Sequence, residues 1–179
     1  MRTKITCLAI LLFLSFNIYG YEKREASIQW KPGDCTSKLV IPKEDYAVSQ
    51  FGRGKYRIDN FEISRGHFNN IYMIFQSDKK FEYTPEKEGD ITAFNLRGKI
   101  YPWRSYEATI EGRQVIRKEI MIPNLLPHEK EGSKSNYIWI RMDSFKEEYN
   151  DILSSVAEQI IIDALPNNGM QPNDHALRR

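Results

Sequence analysis

The last third of the chain carries the clearest hydrophobic pattern. Phe145, Tyr149, Ile152, Leu153, Val156, Ile160 and Ile161 recur at helical spacing. Lys146, Glu147, Asn150, Asp151, Ser154, Glu158 and Asp163 mostly fill the opposite side. Ser144 with Glu147 forms a capping-box pattern at the start, and Asp143 is an alternative cap. Pro166 and the Asn167-Asn168-Gly169 run end it. The helix so predicted is about 32 Å long at ~1.5 Å per residue. Its apolar side needs a surface to cover, and the chain before it alternates as a sheet does.

Strands are predicted over residues 36–41 before Pro42, through Tyr56, Ile58 and the Phe61–Ile63 pair, and over 91–96, 106–110 and 114–122. The last two are joined across Glu111-Gly112-Arg113, a hairpin signal. A final strand over 136–142 places Tyr137, Trp139 and Arg141 on one face and Ile138, Ile140 and Met142 on the other. The link over 123–135, with two prolines, a glycine and several charges, reads as an exposed loop. Residues 68–76 are ambiguous: Phe68, Ile71, Tyr72 and Phe75 suit a helix, whereas the unbroken run Ile71-Tyr72-Met73-Ile74-Phe75 suits a buried strand. The expectation taken is helix. In either case the fold class is α+β, an antiparallel sheet with a long C-terminal helix packed on one face. No internal repeat is present.

Residues 1–20 stand apart. Arg2 and Lys4 precede an apolar run from Ile5 to Phe16, and the segment closes on Ile-Tyr-Gly. This is the layout of a secretory signal, too short for a comfortable membrane span, with an uncleaved anchor as the alternative. Cys7 lies inside the apolar run and is poorly placed for lipid attachment. The expected product is a periplasmic or secreted protein with no stable membrane span after signal removal. Its domains are then a signal peptide over 1–20, one α+β domain over 21–166, and a disordered tail over 167–179.

Composition changes the picture in three places. The whole chain has 179 residues and a net charge of +2, from 26 Lys+Arg against 24 Asp+Glu. That excess is Arg2 and Lys4 alone, so the mature chain is neutral and offers no basic face for nucleic acid. Of two cysteines, only Cys35 survives cleavage, so no internal disulfide forms. Cys35 is either buried as a small hydrophobe, the favoured reading, or paired with another chain.

Catalytic constellations are not apparent. His67 follows Gly66, and His128 sits between Pro127 and Glu129, so both read as exposed loop residues. Neither belongs to a metal-ligand spacing, and no cofactor fingerprint or nucleophile elbow occurs. Phe51-Gly52-Arg53-Gly54-Lys55 lacks the ending and following helix of a phosphate loop and reads as a tight turn. Glu147-Glu148 fits a solvated helix face. The expectation is no enzyme, no cofactor and no metal.

The aromatic content, 12%, is the positive signal. Tyr101, Trp103, Arg104 and Tyr106 crowd together, and these residue types dominate binding hot spots. They are the candidate partner-binding residues. Packing beneath the helix is the competing reading, favoured for Trp103, while Pro102 points to a bend or sheet edge that partly exposes Tyr101 and Arg104.

From Trp30 to Ile63 the order Trp30, Cys35, Leu39-Val40-Ile41-Pro42, a glycine turn and Phe61-Glu62-Ile63 resembles the opening of the periplasmic immunity proteins that neutralise lipase effectors of type VI secretion. Thr36-Ser37 stands where that family usually has Gly-Arg, and the chain is much shorter than its two-domain members. The resemblance implies a lipase-type toxin as partner, neutralised by occlusion of its active site. A strand followed by a closing helix is also similar, in architecture alone, to the PsbP-like fold. That likeness implies the alternative, a periplasmic module binding a small molecule or envelope component. The tail, with His175, Arg178 and Arg179, resembles the translated end of an integron gene cassette, which implies a genetic scar without function.

Overall fold

The computed structural model describes residues 23–29, 36–43, 45–82, 92–127 and 135–166. The expected signal, the tail, Cys35 and His128 lie outside the described residues. Ten strands and one helix follow in order: β1 (Lys23–Gln29), β2 (Thr36–Pro42), β3 (Tyr46–Gly52), β4 (Lys55–Asn60), β5 (Asn70–Gln76), β6 (Ala93–Leu96), β7 (Lys99–Pro102), β8 (Arg104–Ile110), β9 (Arg113–Pro123), β10 (Tyr137–Ser144) and α1 (Glu147–Ala164). The six-stranded sheet runs β3-β4-β5-β10-β9-β8, and β1-β2 and β6-β7 form two small antiparallel ribbons. Every pairing is antiparallel. The expected α+β class is the observed one.

One face of the large sheet carries the main core. Ile58, Ile71, Met73, Ile120, Ile122, Ile138 and Ile140 meet Leu153, Ala157, Ile160 and Ile161 of α1, and Ile28, Leu39 and Ile41 of the β1-β2 ribbon join them. Helix α1 packs against β2, β5, β9 and β10. The β8-β9 hairpin turns on Glu111 and Gly112, both at positive φ (52° and 75°), the conformation that matches strand twist in a two-residue turn. Gly54, at φ 63°, lets β3 reverse into β4 after a register shift between Gln50 and Gly52.

Four expectations are corrected. Residues 70–76 are strand: β5 lies between β4 and β10 with both faces covered, so Ile71 to Phe75 are all buried and an unbroken apolar run is what such a strand requires. The Phe61–Ile63 segment is a turn, because the Asn60 side chain accepts the backbone N–H groups of Glu62 and Ile63 and ends β4 there. The predicted capping box does not form. Ser144 belongs to β10, Asp143 is engaged with Arg117, and the helix opens at Lys146 with no side-chain cap. Its length is 18 residues, about 27 Å at ~1.5 Å per residue.

The helix is also rotated from the expected orientation. Asn150 and Ser154 are buried, while Phe145 and Ile152 are exposed. Asn150 fits because its Nδ2 donates to the Ile116 carbonyl at 2.8 Å. Leu126, within the segment expected to be an exposed loop, is buried in the core.

Candidate functional site

The four sequence-selected residues divide between the two faces of the sheet. Tyr101 is half-buried in β7 and packs against the helix-side core. Trp103, 1% exposed, donates from Nε1 to Glu158 Oε1 of α1 at 2.7 Å. Arg104 and Tyr106 lie on the opposite face, where the guanidinium sits 5.6 Å from the phenol ring. The structure therefore joins Arg104 with Tyr106 and separates them from Tyr101 and Trp103. The same chemistry that marks hot spots also builds buried polar networks, and Tyr106 and Trp103 are inside.

That network spans the sheet. In register across it run Arg57, Tyr72, Arg141, Glu119 and Arg104. Glu119 is 0% exposed, and its Oε1 accepts the Tyr106 hydroxyl at 2.8 Å and faces Arg104 Nη1 at 3.3 Å. Its Oε2 accepts Trp139 Nε1 at 3.0 Å. Arg104 stacks over Phe81 at 4.3 Å, and Arg141 lies between Tyr72 and Trp139 at 5.2 and 5.1 Å. In the neighbouring row Arg117 grips Asp143 through two bonds of 2.6 and 3.1 Å.

Burial pushes the Glu119 carboxyl above the usual range, against the hydrogen bond from Tyr106, the charge of Arg104 and the bond from Trp139. The Tyr106 phenol is also pushed up, by burial first and then by the Glu119 charge. Each buried carboxylate here is engaged by donors, so the network holds the second face of the sheet. Sequence reading missed it. Its signal was Arg117-Lys118-Glu119 inside an otherwise apolar run, three charges that no buried strand carries without partners.

A different surface is open. The connection from Asn60 to Asn70 is fastened from within: Ser64 Oγ accepts the Asn60 N–H and donates to the Asn69 carbonyl, both at 2.8 Å. Asn69 Nδ2 donates to the Ile63 carbonyl at 2.7 Å, and Tyr72 Oη donates to the His67 carbonyl at 3.0 Å. On this fixed loop Phe61 is 67% exposed. Its backbone N–H is tied to the Asp45 carbonyl at 2.8 Å. His67 is on the same loop, exposed.

Asn60 and Glu62, on either side of Phe61, line a groove of about 390 Å³ between α1 and the ends of β2 and β3. Val40, Pro42, Tyr46, Ile152, Val156 and Ile160 form its apolar walls. Asp45, Glu62, Asp163 and Lys23 stand at its polar margin. Ile152, Val156, Gln159 and Asp163 share one stripe of α1, turned from the sheet toward this groove. No group of three or more His, Cys, Asp or Glu able to hold a metal occurs among the described residues. No helix among them is long and apolar enough to cross a membrane. Comparison with protein-family models, curated proteins and solved structures finds no match to this chain.

Proposed function

We propose that this is an exported, non-catalytic binding protein of the periplasm that neutralises a lipase-type toxin by covering its active-site entrance. The observation that carries the reading is Phe61: a large, solvent-facing ring on a loop fastened by Asn60, Ser64 and Asn69, beside an apolar groove. A side chain on a backbone fastened before contact adds little loop-ordering cost to binding, and aromatic anchors of this kind dominate interfaces. The commitment of Glu119 to Tyr106, Trp139 and Arg104 supports the non-catalytic part, since the carboxylate most shielded from water is occupied by the fold. With Trp103 and Tyr106 inside, the occluding surface is Phe61 with the groove, and Tyr101 and Arg104 contribute at most their exposed edges.

The test is direct. A lipase effector directed to the periplasm should lose toxicity when this protein is co-expressed, and the purified lipase should lose activity in stoichiometric complex. Full lipase activity at saturating protein, with separate elution of the two on size exclusion, would reject the reading. The groove itself favours a second reading, a module for a small molecule or envelope component, since apolar walls with few polar groups suit such ligands. Native mass spectrometry of protein purified from periplasm would then show a bound small molecule.

A further inference from the structure

We infer that the groove beside Phe61 receives a basic amphipathic segment of the partner, an apolar side chain flanked by lysine or arginine. This deepens the binding reading above and rests on it. The charge of the margin decides the chemistry. Lys23 Nζ is bonded to Asp163 Oδ2 at 2.6 Å, so that pair is self-neutralised. Asp45 and Glu62 have no side-chain ion pair among the described residues. Two exposed carboxylates outside any contact ion pair among the described residues thus stand at the mouth of an apolar trough, with the Arg24 guanidinium near by on the Tyr46 carbonyl at 2.7 Å.

The walls specify the rest. Ile152 is 49% exposed in the middle of α1, and with Val156 it continues toward buried Ile160 at the groove floor. A helical stripe of this kind, left uncovered by its own sheet, is suited to an apolar side chain from another molecule. An anionic ligand would meet repulsion from Asp45 and Glu62, and a neutral one would leave both carboxylates without added partners. A cation beside the apolar contact satisfies them, and the backbone bond from Phe61 N–H to the Asp45 carbonyl ties the two loop segments together.

The experiment uses the full mature chain and no toxin, so its outcome is separate from that of the neutralisation assay. A fluorescent amphipathic peptide of leucine and lysine is titrated by anisotropy against its leucine–glutamate counterpart of equal length. The lysine peptide should bind about tenfold more tightly, a preference that shrinks as salt screens the margin. Asp45→Asn with Glu62→Gln should erase the preference. Ile152→Ser should weaken both peptides, with an unchanged circular dichroism melt showing that the fold is intact. Equal binding of the two peptides, or no binding of either, overturns the inference. A preference that survives Asp45→Asn/Glu62→Gln does so too. Uptake of the neutral dye Nile red without a peptide preference assigns the groove to small apolar ligands. Lysine-peptide binding that appears only after removal of 167–179 assigns it to the chain's own tail, and both results overturn the partner.

Discussion

Replacing Glu119 by leucine removes the acceptor at the centre of the second sheet face. Tyr106 Oη and Trp139 Nε1, on residues 4% and 1% exposed, then lose the Glu119 carboxylate together. Each buried donor bond lost costs about 1–3 kcal/mol, and the Arg104–Glu119 ion pair goes besides. Against this, the variant no longer buries a carboxylate, which recovers part of the loss. The net expectation for Glu119→Leu is about 3–5 kcal/mol, in the range found when one member of a buried ion pair is removed. That corresponds to a fall in Tm of roughly 10–15 °C for a domain of this size.

Glu119→Gln keeps one acceptor oxygen for Tyr106 and sets an amide N–H against Trp139, so about 1–2 kcal/mol is expected. Urea unfolding followed by far-UV circular dichroism, with unchanged m values, measures both. The pH dependence is a second readout. Burial raises the folded carboxyl above its ordinary value of 4.5, so the native chain binds more protons than the unfolded one between those two values. The contribution of this group to stability therefore falls as pH rises through that window, and Glu119→Gln should flatten the slope. Loss below about 1 kcal/mol for Glu119→Leu would refute the account. A wild-type pH profile superimposable on that of Glu119→Gln would refute the burial argument.

Three further outcomes are expected. Arg117→Ala should cost about 3 kcal/mol by removing both short bonds to buried Asp143 and leaving it the longer 3.4 Å ion pair with Arg141, whereas the double change Arg117→Met/Asp143→Leu should cost far less; denaturant melts of the three proteins compare them. Gly112→Ala should cost about 1 kcal/mol in thermal melts, because backbone conformation opposes it: no atom beyond its chain neighbours lies within 4 Å of the added Cβ, and φ is +75°. Phe61→Ala should leave stability within about 0.5 kcal/mol yet abolish the proposed toxin neutralisation, while Asn60→Ala should lose about 1–3 kcal/mol with its two backbone bonds, as calorimetry and the lipase assay together would show.

The alternation of Tyr137-Trp139-Arg141 against Ile138-Ile140-Met142 identified β10 and both its faces, and Glu111-Gly112 marked the β8-β9 turn, since each is a local signal. Interior β5 was not separable from a helix, because burial on both faces erases the alternation that marks a strand. The edge strand β3 and short β7 carry weak patterns and went unrecognised. For the helix, periodicity set the element but not its rotation: Asn150 faces inward only because the Ile116 carbonyl is there to meet it. The same reason hid the groove. It is made by Val40 and Pro42, Asp45 and Glu62, and Ile152 and Val156, which meet only after the chain has folded. Phe61 was legible as an apolar residue but not as an exposed one, since its exposure follows from the bond pattern of Asn60.

The position of β10 has a consequence for how the molecule comes into being. It is the last strand in the sequence, yet it sits between β5 and β9, inside the sheet. Until a growing polypeptide has delivered it, the earlier hairpins are two unjoined fragments, neither able to shield its greasy side from water. The sheet therefore closes only when its second-to-last element has been made.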